Sequence, residues 1–389
     1  MKAHTLALLL FLGGHVLSAA GQEHSSFPID VTTGPAPQLF SVDNQLRLSY
    51  ELHLVNYAPF PVKLSALHIT GNPGGQLTVL DSNSLKDDLV LANHLLGNTG
   101  DTVQTQTLEP GKAAVIFIDM SLEQNQGIPA SLGHLFTFSF QNNMGKTIVR
   151  NMPGPDIAVL SGTAVIIGPP VKGAGWVAFN AYGGSGHRRS FNPVDGRLQI
   201  AERFAIDFMQ VGQDGKLFHG EPQQNANFYG YGRPVLAVAD ATVYAVKDGL
   251  AEQTGTSERE KRVVTLDNIV GDYVILDLGS GRYAIYAHLQ PGKITVRAGD
   301  RVKEGQVLGL LGNSGNSDEP HLHFQIMDKP SPLGAEGLPF VIKEFTQQGI
   351  AQNTDAMDEG AAWKGNAERQ IKTVYYRQFP LDNAVIDLK

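Results

Sequence analysis

Pro320-His321-Leu322-His323-Phe324 is the stretch on which the reading of this chain turns. Residues 321–327 have the make-up of a β-strand, and side chains two apart on a strand point to the same face. His321 and His323 can therefore converge on one metal ion or one reacting atom. Before them runs Gly312-Asn313-Ser314-Gly315-Asn316-Ser317, a turn-rich segment of the kind found where a chain reverses into a site. A His-x-His pair alone is weak, because chance produces one in many proteins. A third histidine adds weight: His288, in Tyr286-Ala287-His288-Leu289, follows another predicted strand at 283–286.

Outward from this pair the pattern stays β. Strands are predicted at 235–238, 242–246, 273–276, 283–286 and 307–311, with the polar turn Gly299-Asp300-Arg301-Val302-Lys303-Glu304-Gly305-Gln306 between two of them. Upstream, Gly168-Pro169-Pro170 interrupts any regular ladder. Before it, Leu46, Leu48, Tyr50, Leu52 and Leu54 alternate with Arg47, Ser49, Glu51, His53 and Val55, a period-2 strand with one buried face. His53 is expected to be solvated on the polar face. Further short strands at 62–69, 113–118 and 135–140, separated by turn signals, predict an immunoglobulin-like sandwich. The expected organisation is a signal peptide at 1–20, the sandwich at 21–165, a second β domain at 166–345, and a C-terminal tail at 346–389 with edge strands near 374–376 and 384–388. The fold class is mainly β.

Composition limits the function classes. A formal charge of −8 gives no attraction to nucleic acid or to an anionic membrane surface. Residues 1–20 combine Lys2, an apolar run at 6–12 and Ser18-Ala19-Ala20, the pattern of a secretory signal cleaved after Ala20. The chain holds no cysteine. That excludes a lipid anchor of the bacterial lipoprotein kind and any disulfide, and it places an exported protein in a bacterial periplasm or outside the cell. Oligomeric state is not readable from these features.

Several motifs occur in a recognisable order. Arg203-Phe204-Ala205-Ile206-Asp207-Phe208 comes first, then Pro234-Val235-Leu236-Ala237-Val238-Ala239-Asp240 and Gly271-Asp272-Tyr273-Val274-Ile275-Leu276-Asp277. They lead into the Tyr-x-His segment, the Gly-Asp-x-Val-x-x-Gly-Gln turn and the His-x-His strand. Over residues 170–345 this order resembles the LytM/lysostaphin-like zinc metallopeptidases, which cleave peptide cross-links in bacterial cell walls. The resemblance implies an antiparallel β metallopeptidase domain that binds Zn2+. It makes Asp207 and His323 zinc ligands, and it sets His288 and His321 beside the attacking water with their division of labour open. The substrate implied is cell-wall peptide (peptidoglycan) or an exported protein. The Gly-Asp-x-Val-x-x-Gly-Gln turn also occurs in lipoyl and phosphocarrier folds, but no lysine stands at the expected hairpin tip and the export signal opposes a cytoplasmic carrier.

One departure stands out. Arg203 occupies the place of the family's first zinc-binding histidine, and a protonated guanidinium has no lone pair for a metal. Either another histidine supplies the third ligand, or zinc is lost and the domain is a degenerate module that regulates another wall hydrolase. His187 is the first choice for the ligand, because a turn at Asn192-Pro193-Val194-Asp195-Gly196-Arg197 would fold it back beside Asp207. His219, in the insertion after Asp207, is the second. Arg203 is then expected near the cleft as a cation for a substrate carboxylate, or paired with Glu202 or Asp195. Asn313, Ser314 and Asn316 either orient the substrate and the groups behind the ligands or simply shape the turn, and Asn313 and Asn316 are the candidates for substrate contact.

Overall fold

The alternation that predicts the first half also builds it. In the computed structural model, which describes residues 27–92, 106–123, 127–184, 186–254, 263–365 and 372–389, the strand Gln45–Asn56 turns Leu48, Tyr50, Leu52 and Leu54 inward. It pairs antiparallel with Ala113–Leu122, while Val62–Asn72 pairs with Ser131–Gln141 in a second sheet. Leu48, Leu52, Ile116 and Ile118 from one sheet meet Leu64, Leu67, Phe136 and Phe138 from the other in a single apolar core. The predicted signal segment at 1–20 lies outside the described residues. Among the described residues no helix is long and apolar enough to cross a membrane.

Between Leu160–Thr163 and Val165–Ile167 the chain changes sheet: the first strand pairs with Gln38–Val42, the second with Phe340–Ile350. From there the described residues form a twelve-stranded sheet. Its centre runs Gly173–Phe179, Ile206–Gln210, Leu322–Met327, Arg282–Leu289, Asp272–Gly279, each antiparallel to the next. Cross-strand register sets Phe179 opposite Asp207, Asp207 opposite His323, and His323 opposite Ala287. Residues directly opposite on neighbouring strands lie within side-chain reach on one face. Residues 384–388 were expected at a sheet edge, and the structure corrects this. Ala384–Leu388 lies inside the sheet, between Phe340–Ile350 and Gly173–Phe179, and Ala384, Val385 and Ile386 are buried. The strand Phe340–Ile350 itself runs through the predicted boundary at 345, so the C-terminal segment is part of the second core.

A second correction concerns the face of Gln45–Asn56 expected to meet solvent. Ser49 and Glu51 are buried, and His53 packs edge-on against Phe191. The second half of the chain covers this face: Val115 and Phe117 join Phe191 and Ile200 in one cluster, and Phe40 packs on Phe204, Tyr182 and Phe379. A polar alternation shows which face is not the sandwich core. It does not show whether water or another layer covers that face.

Candidate functional site

His323 sits second on the strand Leu322–Met327, and His321 immediately precedes it. Two neighbouring strands complete the cluster. Asp207, from Ile206–Gln210, brings its carboxylate to 2.9 Å from His323 Nδ1 and 3.5 Å from His321 Nε2. On the other side, register slips between Asp272 and Val274 as they pair with Leu289 and Tyr286, leaving one extra residue on the Arg282–Leu289 strand. His288 occupies this bulge with φ of 61°, a left-handed conformation uncommon for a side chain other than glycine. A bulge beside a site re-aims a side chain. Here the His288 ring comes to 4.7 Å from His321 and 5.9 Å from His323, centroid to centroid.

His187 arrives from outside the sheet, on the short 3-10 turn His187–Arg189. The hairpin of Asn192–Val194 with Arg197–Gln199 follows the turn and leads the chain back towards Ile206–Gln210. His187 Nε2 lies 3.1 Å from Asp207 Oδ2, and its ring 4.8 Å from that of His323. His219 is exposed against Tyr229 and does not join the cluster. Two ligand groupings exist among the described residues, His187 with Asp207 and His323, and His288 with His321 and His323.

Each imidazole has its outer nitrogen committed to a carbonyl oxygen. His187 Nδ1 donates to Ala205 O (3.3 Å), His288 Nδ1 to Ser314 O (2.8 Å), His321 Nδ1 to Glu319 O (2.8 Å) and His323 Nε2 to Gln325 Oε1 (2.8 Å). That fixes ring orientation and turns the other nitrogen of each ring into the cluster. Asn180 Nδ2 donates to Asp207 Oδ2 at 3.0 Å. The donors of His187, Asp207 and His323 lie within 4.8 Å of one another, and three such N/O donors suit zinc. Sequence reasoning missed Asn180 and Gln325. Gln325 was legible, since it shares a strand face with His321 and His323. Asn180 was not, because only strand register brings it to Asp207.

Electrostatics follow the packing. Burial disfavours charge on His187, but the Asp207 carboxylate beside it, helped by Glu202, outweighs this and lifts the ring to about 9. Burial likewise opposes charge on Asp207, yet His187 and His321 hold it well below the ordinary carboxylate range. Burial pushes His288 well below the usual imidazole value, reinforced by His321 and His323, and it lowers His321 as well. The cluster lines a groove of about 630 Å³ that also takes in Glu202, Asn316, Glu319, Asp358 and Asp382.

Two expected substrate contacts lie elsewhere. Arg203 is buried, with its guanidinium on Glu51 and Glu336 rather than at the cleft or on Glu202 or Asp195. Asn313 is fully buried and bonds Asn225 and the Gln253 carbonyl, whereas Asn316 does line the groove.

Comparison with known proteins bears on the same segment. The family model for Peptidase family M23 matches residues 228–334, a span holding His288, His321 and His323 but neither Asp207 nor His187. Peptidoglycan DD-endopeptidase ShyA of Vibrio cholerae is 38% identical over 65 residues, 17% of this chain and 15% of ShyA. Lysostaphin of Staphylococcus simulans is 36% identical over 81 residues, 21% of this chain and 16% of lysostaphin. The chain thus spans well under two thirds of these relatives. Among solved structures, a zinc containing peptidase from Vibrio cholerae aligns at 17% identity and a TM-score of 0.26, covering 77% of this chain and 85% of that one. Residues 228–334 are a Peptidase family M23 domain, with relatives in the LytM/lysostaphin group.

Proposed function

We propose that this chain is an exported zinc metalloendopeptidase that hydrolyses peptide bonds in bacterial cell-wall cross-links, with His187, Asp207 and His323 as metal ligands. The observation that carries this reading is the convergence of those three donors on one groove together with His288 and His321. When bound, zinc supplies a Lewis acid that activates water and polarises a carbonyl. His288 and His321, both biased by burial to the neutral form, present basic nitrogens to the same space. One can accept the proton of the attacking water and the other can hydrogen-bond the developing oxyanion or protonate the leaving amine. The Ser314 and Glu319 carbonyls behind the two rings hold these nitrogens in place.

A degenerate, zinc-free regulator was the competing reading, because Arg203 replaces a metal-binding histidine. His187 Nε2, 3.1 Å from Asp207, supplies a donor from a different part of the chain and supports the catalytic reading instead. The test is elemental analysis of protein purified without chelators, alongside digestion of purified peptidoglycan. About one zinc per chain and release of cross-link peptides are expected. Protein that neither contains zinc nor takes it up on titration would return the regulator reading to first place.

A further inference from the structure

His187 is held by the other half of the molecule. Its neighbour Arg188 is the middle residue of the turn His187–Arg189, so the two share one rigid backbone unit. The turn has no side-chain cap of its own. The Arg188 guanidinium instead spends its donors on the sandwich: it pairs with Glu51, reaches Asp119 Oδ2 at 3.4 Å, and donates to the carbonyls of Ile118 (3.2 Å) and Tyr50 (3.4 Å). It also lies over the Phe117 ring, 5.4 Å from the centroid.

Glu51 does more than anchor this turn. Its carboxylate also accepts from Arg203 Nε at 3.1 and 3.0 Å and from Arg203 Nη2 at 2.8 Å. Arg203 lies two residues before Ala205, whose carbonyl receives His187 Nδ1, and four before Asp207. One carboxylate, 1% exposed on its side chain, therefore ties both chain segments that must meet: the turn that carries His187 and the segment that carries Asp207. The arginine at the place of a family metal ligand has become half of this tie.

We propose that Glu51 is a positioning residue for the metal centre, acting through Arg188 on His187 and through Arg203 on the Asp207 segment. The sandwich is then a working part of the metal site. This rests on the metal-ligand role given above to His187, Asp207 and His323. It requires a coupling between residue 51 and residue 187 that a simple interface contact lacks, since independent sites act additively and coupled ones do not.

The test is a double-variant cycle on the full chain, read by zinc affinity against a chromophoric chelator and by the visible spectrum of the cobalt-loaded protein. Glu51→Gln keeps the shape and removes the charge. It is expected to weaken zinc binding about 10–100-fold, the usual effect of losing a group that orients a ligand, and to shift the cobalt spectrum towards that of His187→Ala. In the His187→Ala background, Glu51→Gln should weaken zinc binding much less than in the unaltered chain, leaving only the part that reaches Asp207 through Arg203. Unchanged affinity in Glu51→Gln, or losses that multiply in the double variant, would overturn the proposal while leaving the metal site standing. Absence of zinc binding by the unaltered protein would remove both. If Glu51→Gln fails to fold, Asp119→Asn, a milder change at a partly exposed partner of Arg188, takes its place. A smaller loss that vanishes without His187 supports the proposal, and an additive loss or none refutes it.

Discussion

If His187 is the ligand proposed, it carries a proton that a metal would have to displace, and this makes its role measurable without any substrate. In metal-free protein the ring is raised from 6.5 to about 9, chiefly because Asp207 overcomes the penalty of burial. A histidine raised on folding stabilises the native state fully below its unfolded value, and the contribution fades as pH climbs through the folded one. With chelator present, the stability advantage of the unaltered protein over His187→Ala should therefore shrink by up to roughly 3 kcal/mol between pH 6 and pH 9.5. Chemical denaturation at the two pH values measures it, and a constant difference would show that the ring is not held by Asp207. His288 and His321 make the opposite case, since both are biased to neutrality and neither is assigned as a ligand. Replacing either by alanine should keep zinc bound and lower peptidoglycan turnover about 10²–10⁴-fold. Loss of metal from a folded variant would instead make that residue a ligand.

Among the elements, the loop at 312–317 matters as much as the strands. Its Ser314 carbonyl orients His288, and Ser314 Oγ bonds both the Asp272 amide and the Leu289 carbonyl. Gly271 (φ 64°) is packed so tightly here that an added Cβ would stand 2.4 Å from Ser314 O. Gly292 has a similar φ of 70° but open space around it. Gly292→Ala should cost about 1–2 kcal/mol, the penalty of a left-handed alanine, with little effect on activity. Gly271→Ala adds a backbone clash, so it should cost more and also displace the His288 acceptor, reducing turnover. Thermal denaturation and peptidoglycan digestion of the two variants make the comparison; equal effects would mean the close approach has no consequence for the site.

At the scale of the whole molecule, the two halves share side chains across their boundary. Phe40 comes from a strand of the sandwich, yet its ring packs 5.2 Å from Phe204 and 6.1 Å from Phe379 in the second core. Removing it leaves a cavity in the second core at a residue that the sandwich strand supplies, so Phe40→Ala should cost about 3–5 kcal/mol. The loss should appear in the stability of both halves, giving one unfolding transition by calorimetry in the unaltered chain. Two separate transitions, with only the earlier one moved by Phe40→Ala, would show that the sandwich and the second half fold independently.

How much was legible divides along the same scales. The period of two in Leu46 to Leu54 and the His-x-His pair fixed strands and faces from the sequence alone, because on a strand residue parity decides the side. The turn at residues 192–197 even pointed to His187 as a donor. Parity says nothing about what a face meets. The polar side of Gln45–Asn56 was expected in water and lies under a second layer. Ala384–Leu388 was expected at an edge and lies inside a sheet. Arg203 shows the limit most clearly. Its chemistry ruled out metal binding at once, but its partner Glu51 stands far upstream in the chain, and only tertiary packing could bring that carboxylate to it.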